Sequence, residues 1–222
     1  MKMLLARLWI AAIVATVPTL ADAQAPASFR FGGMRFEVPL PEGYCPVQGA
    51  EIDTAQLMAA ADPRNVTHLT LVGCGPQQGL GANYIIIKTP MEGLSARMGR
   101  EQFLEAISAA FREGPFNSAD FQSSIADEAG RHLSTVSRTP VNLSGDIRPL
   151  GLDRVCGYMG GIMEVRSAAG NYSRSVGICM TSISDRLLNI NWYGPAQGSP
   201  GVADLLLRSR QLAERITATP AP

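Results

Sequence analysis

The chain reads as an α+β domain, an antiparallel sheet with helices packed on it in the manner of an α/β/α sandwich, preceded by a cleaved signal peptide. Three observations predict this. Apolar residues alternate on both sides of a Gly-Gly pair near the start, the period turns helical in the middle of the chain, and the second half returns to strands before one last amphipathic run.

Taken in order, "FRFGGMRFEV" places Gly32-Gly33, a pair free to take the positive φ of a tight turn, between two strands; Pro39 and Pro41 stop the second. In "EIDTAQLMAAADP", Asp53 is placed to cap a short helix and Gln56 to reach back from three residues on. Ile52 and Leu57 stand where a hydrophobic staple needs them, and the helix ends before Pro63. "NVTHLTLVGC" and "NYIIIKTP" read as strands, the second nearly continuously apolar and therefore central. Leu94, Met98, Leu104, Ile107 and Phe111 recur at helical spacing, and Gly114-Pro115 ends that run. "NSADFQSSIADEAG" starts at an Asn117 cap, sets Phe121 and Ile125 on one face and stops at Gly130.

Residues 135–142, 155–166, 172–182 and 186–193 carry β-branched, aromatic and alternating residues, with turn signals at "SAAGN" and "ISD". "GSPGVADLLLRSRQLAERIT" gives a closing helix with Ser199 as cap and Pro200 at its first position. Its apolar face is Val202, Leu205, Leu206, Leu212 and Ile216. QAPAS reads as a polar leader and the final ATPAP as a tail with nothing to bury. No repeat and no linker divides the chain, so residues 24–222 are expected to form one domain.

Ahead of that domain, Lys2 and Arg7 precede an apolar run from Leu8 to Leu20, followed by Ala21-Asp22-Ala23. This is the pattern of a secretory signal peptide over residues 1–23, cut after Ala23 and too short for a good membrane span. With no cysteine at the cut and no second long apolar run, the mature chain is expected to be soluble, without a membrane span, and periplasmic or secreted in a bacterium. Removing Lys2, Arg7 and Asp22 from nineteen basic and nineteen acidic residues leaves seventeen and eighteen. A net charge near −1 with no basic block gives no electrostatic case for nucleic acid or an anionic membrane.

All four cysteines, Cys45, Cys74, Cys156 and Cys179, fall in the mature part, and an even count in an exported chain predicts two disulfides. Cys156 and Cys179 lie on successive strands. A turn centred between Ala169 and Gly170 sets them four residues out of register, roughly 13 Å along the strand, whereas a disulfide needs Cβ atoms within about 4.5 Å. Bonding them requires a loop centred nearer Ser167-Ala168 or a bulge at Gly160-Gly161; otherwise the partners differ.

Other chemistries find little support. There is no C-x-x-C for redox or zinc, and the only histidines, His68 and His132, read as ordinary strand and post-helix residues. No G-x-S-x-G occurs, and Ile85 stands where a Ser-x-x-Lys motif ending at Lys88 needs its serine. The glycines of "GCGPQQGLG" fit no phosphate-loop spacing and lead into a strand, and Asp127-Glu128 diverge around a helix. The sequons at Asn65, Asn142 and Asn171 matter only in a eukaryotic secretory route, and the arginine-rich, lysine-poor composition reads as bacterial. Trp192 and Tyr193 fall on opposite faces of a strand end, one for the core and one for a contact surface. No catalytic residue, cofactor ligand or metal ligand is nominated.

The segment "VPLPEGYCPVQG", with "HLTLVGCG" following it, resembles uncharacterised exported proteins of Gram-negative bacteria. In these a Leu-Pro-x-Gly-Tyr-Cys segment after an opening strand leads to a short helix and a strand ending in cysteine. The likeness covers Leu40 to Cys74 and implies a bond between Cys45 and Cys74, with no activity. The element order is also similar to the PsbP-like α/β/α sandwich, through "RFEVPLPEGY", the central helices, the meander and "LNINWYGP" before the last helix. That resemblance implies a binding or assembly role without catalytic residues.

The sequence therefore predicts an exported, disulfide-stapled, non-catalytic binding or interaction module with a protein or small-molecule partner. The alternatives are a thiol-dependent enzyme using Cys156 or Cys179, recognisable by free thiols, and an envelope-assembly subunit, recognisable by a contiguous exposed apolar patch.

Overall fold

The computed structural model describes residues 25–75, 80, 81, 83–114, 116 and 118–222, with the backbone alone at Ala119, Phe121, Ser199 and Pro200. The expected signal peptide, the centre of the "GCGPQQGLG" loop, Asn117 and the side chain of Phe121 lie outside that description. Within it, Gly32 and Gly33 take φ of 57° and 78°. That is the geometry a two-residue hairpin turn demands, and β1 (Ala27–Phe31) closes on β2 (Met34–Val38) with Phe31 opposite Met34. Phe29, Phe31 and Phe36 face inwards, while Arg30 and Arg35 face out.

The tail expected to bury nothing is instead a strand. β10 (Thr217–Pro220) pairs antiparallel with β2 and completes a three-stranded sheet. It is held by main-chain hydrogen bonds and by the buried Ile216 just before it, so its apolar pattern carries no signal.

The main sheet has seven strands: β3 (Tyr44–Pro46), β4 (Asn65–Gly73), β5 (Tyr84–Pro90), β6 (Val141–Leu152), β7 (Gly157–Ser167), β8 (Gly170–Ile183) and β9 (Arg186–Pro195). All neighbours are antiparallel, in the order β3-β4-β5-β9-β8-β7-β6. The apolar β5 is interior, beside the central β9. The helices are α1 (Glu51–Ala60), α2 (Arg100–Glu113), α3 (Ala119–Ser137) and α4 (Gly198–Arg215).

The helices close both faces of the sheet. On one face Leu205 of α4 sits so close to β8 that a Cβ on Gly177 would stand 2.8 Å from it. This face and the three-stranded sheet share the larger core, with Ile85, Ile87, Leu188, Ile190 and Trp192. On the other, Phe103, Leu104 and Phe111 of α2 pack on Met180. No helix among the described residues is long and apolar enough to cross a membrane.

Several element boundaries differ from expectation for local reasons. α1 starts at Glu51 with Ala50 in the cap position, because carbonyls of Gln48 and Gly49 accept the Glu51 and Ile52 N–H groups. Asp53 therefore lies within the first turn, and Ile52, 41% exposed, staples nothing. The run expected to be helical from Leu94 becomes α2 only at Arg100. Met98 is tied to the β8–β9 hairpin by its N–H to Asp185 O and its carbonyl to Ser182 Oγ.

Gly130 does not end α3, so His132 lies within the helix. Its missing side chain lets the helix lie against β6, where a Cβ would meet Val141 O at 3.1 Å and Leu143 N at 3.3 Å. Residues 135–137 are thus helix, not strand. β6 begins at Val141 and runs through Pro149, which an edge strand tolerates. α4 begins at Gly198 with Gln197 in the cap position, so Ser199 lies inside the helix and does not cap it.

Candidate functional site

The four cysteines form two disulfides, Cys45–Cys74 and Cys156–Cys179. The β7–β8 turn is centred on Ala168-Ala169, which sets Tyr158 opposite Cys179 and leaves Cys156 just before β7. Asp153 brings it in. Its Oδ1 accepts the N–H groups of Val155 at 2.7 Å and Cys156 at 2.9 Å, a turn that delivers Cys156 to Cys179 with Cα atoms 5.2 Å apart. Asp153 Oδ2 accepts the Tyr158 hydroxyl at 2.8 Å and Arg210 Nε of α4 at 2.7 Å. Burial pushes the Asp153 carboxyl up, but these bonds outweigh it and hold the group below its ordinary value. No cysteine is free, so a thiol-dependent enzyme has no nucleophile here.

The two histidines lie on separate elements. His68 sits at a bulge in β4, its ring 5.0 Å from Phe29 and 4.6 Å from Phe31. Thr89 Oγ1 gives its own proton to Leu187 O, so it accepts the Nε2–H of His68 at 2.8 Å. Burial lowers this histidine to about 4 and keeps it neutral. His132 is half-buried on α3, 3.8 Å from Glu128. Lys88 Nζ meets Asp62 at 2.6 Å. No cluster of three or more His, Cys, Asp or Glu side chains able to hold a metal occurs among the described residues.

The polar groups that do converge line a cleft of about 330 Å³ between the start of β3, the end of β9 and the first half of α4. On its floor Trp192, 2% exposed, donates its Nε1–H to Tyr44 Oη at 2.7 Å, with the rings edge to face at 5.1 Å. Burial raises the Tyr44 phenol above its ordinary value, so it remains an O–H donor, and its proton has no acceptor among the described residues. Gly43, at φ 77°, makes the turn that aims Tyr44 inwards, and its carbonyl accepts the Cys74 N–H at 2.8 Å. The Cys45–Cys74 bond thus braces the wall that carries Tyr44.

Ser175 Oγ accepts the Gln197 N–H at 3.2 Å and joins β8 to the start of α4. The side-chain amides of Asn83 and Gln197 also line the cleft and make no hydrogen bond to any described residue, while Asp204 pairs with Arg208 at 2.8 Å on the rim. The arrangement offers hydrogen-bond donors, acceptors and an aromatic edge, and among the described residues no carboxylate or histidine is hydrogen bonded to a hydroxyl there. Sequence reading found both halves of the floor as parts of "EGYC" and "NWYGP" without joining them. Asn83, Ser175 and Gln197 carry no local signal, because only the antiparallel pairing of β5, β9 and β8 unites them. No protein-family model matches the chain, and no curated protein matches it.

Proposed function

We propose that this protein is an exported, disulfide-stapled binding module of a bacterial periplasm, non-catalytic, which holds a small polyhydroxylated ligand in the cleft between β9 and α4. The observation that carries the reading is the Tyr44–Trp192 floor, a buried aromatic pair whose one remaining proton has no acceptor among the described residues and can meet a ligand oxygen. The Asn83 and Gln197 amides, each donor and acceptor at once, suit neighbouring hydroxyls. The resemblance to PsbP-like proteins points the same way, as does the disulfide content, which suits an oxidising compartment.

The test is calorimetric titration of the mature protein with a panel of monosaccharides and, for contrast, amino acids. Binding of a sugar that weakens about tenfold in Gln197→Ala and in Asn83→Ala, neither of which removes a side-chain hydrogen bond to a described residue, supports the reading. Sugars that all fail to bind, or bind with both variants unaffected, overturn it.

A further inference from the structure

The two disulfides differ in what a reductant can reach. Cys156 and Cys179 are 0% exposed, so thiol exchange at that bridge requires the core to open. Cys45 and Cys74 each keep part of their surface in solvent, at the edge of the main sheet where β3 has β4 as its one neighbour. β3 is three residues long and meets β4 through Tyr44 opposite Gly73, Cys45 opposite Val72 and Pro46 opposite Leu71. Pro46 brings no N–H to that ladder, so few main-chain bonds hold the strand and the bridge carries a large share of its attachment.

Both sides of this bridge lead into the cleft. Cys45 directly follows Tyr44, whose hydroxyl accepts the Trp192 Nε1–H at 2.7 Å. The Gly43 carbonyl accepts the Cys74 N–H at 2.8 Å, and Gly73, just before Cys74, donates its N–H to the carbonyl of Asn83 at 3.0 Å. Tyr44 and Asn83 line the cleft, so the bridge ties together the two chain segments that deliver them. The facing wall is attached elsewhere, through Leu205 of α4 close against β8 and through the Gln197 N–H donated to Ser175.

We propose that Cys45–Cys74 is a redox latch on the cleft, closed as a disulfide and released by a dithiol reductant. One thiolate of the reductant attacks a bridge sulfur and forms a mixed disulfide, while the other bridge sulfur leaves as a thiolate and takes up a proton. The second thiol of the reductant, on losing its proton, displaces the remaining cysteine. The reductant ends as a disulfide, and Cys45 and Cys74 end as thiols, having gained two electrons and two protons. Without the bond β3 leaves β4 and carries Tyr44 off Trp192, while the buried Cys156–Cys179 bridge keeps the core folded. As a control of ligand binding the latch rests on the reading of the cleft given above; as a movement of the wall it does not.

That movement has its own reporter, because Trp192 is the only tryptophan from residue 24 onward and the tryptophan fluorescence of the mature protein comes from the cleft floor. The test treats the mature protein with graded dithiothreitol, maps alkylated cysteines by mass and follows the Trp192 emission. A range is expected in which Cys45 and Cys74 are alkylated and Cys156 and Cys179 stay bonded. Over that range the emission moves to longer wavelength and iodide quenching rises, both reversed on reoxidation. Cys45→Ser/Cys74→Ser should show the same emission without reductant. A sugar that binds the oxidised protein should bind the reduced form about tenfold more weakly. Reduction of both bridges together, reduction of Cys45–Cys74 with the Trp192 emission unchanged, or a sugar bound equally by both forms overturns the proposal. If no sugar binds either form while the emission still moves, the ligand reading fails and the latch stands.

Discussion

On the face of the main sheet covered by α4 and the three-stranded sheet, the inner strands present Leu71, Ile85, Ile87, Leu188, Ile190 and Trp192, all essentially without exposure. On the opposite face, beside Asp62 just after α1, the same strands present Tyr84, Ile86, Lys88, Leu187, Asn189, Asn191 and Tyr193. Strand alternation sends every second residue to each side, so one backbone serves two different chemistries. The first face excludes water by packing and holds the buried Cys156–Cys179 bridge. The second places polar groups over the middle of the sheet, and Asn191, 1% exposed, has neither amide atom hydrogen bonded. The difference shows where the fold keeps its stability and where it has given some away.

The sharpest test compares the two bridges. Their sequence separations, 29 and 23 residues, are close enough that loop closure assigns each about 3 kcal/mol. Burial separates them, since Cys156 and Cys179 are 0% exposed whereas Cys45 and Cys74 are half-buried at the sheet edge. Cys156→Ala/Cys179→Ala is therefore expected to lose about 4 to 5 kcal/mol in urea unfolding, the excess coming from the void left in the core. Cys45→Ala/Cys74→Ala should lose about 3 kcal/mol. Equal losses would break the comparison.

A smaller effect comes from the one histidine on the packed face. His68 is held at about 4 in the fold against an ordinary value of 6.5, so the unfolded chain binds more protons between those values. Its contribution is fully present above pH 6.5 and is lost as pH falls toward 4. The whole shift corresponds to about 3 kcal/mol, reduced to about 1 to 2 because the ring keeps some contact with solvent. Asp153, also held low, acts only further down, as pH falls through its own depressed value. His68→Asn should flatten the stability profile between pH 6.5 and 4; an unchanged slope would place the titration elsewhere.

What could be read from the sequence follows from how local each signal is. The Gly32-Gly33 hairpin and the turns of the β7–β8–β9 meander announce themselves within a few residues, the even set of cysteines by count alone, and the structure contains all three. Gly130 misleads because its use is tertiary: it thins α3 against β6 and does not end the helix. β10 escapes notice because main-chain bonds to β2 hold it, and those leave no hydrophobic pattern. The Tyr44–Trp192 floor and the Arg186–Gly32 hydrogen bonds join residues more than a hundred positions apart, a distance that only strand order can close.

The smallest expected effect probes the polar face directly. Asn191 lies between Ile86 of β5 and Ile178 of β8, so its amide is surrounded by aliphatic neighbours in the middle of the sheet. Replacing an unsatisfied buried amide by an apolar group of the same branched shape removes the desolvation cost of both polar atoms without opening a cavity. Asn191→Leu is therefore expected to stabilise the fold by about 1 kcal/mol, seen as a higher urea midpoint with an unchanged slope. The sign decides the comparison more cleanly than the size. A gain makes the second face the one that carries an unmet polar cost, whereas a loss would mean that the amide is satisfied in solution and that both faces are equally complete.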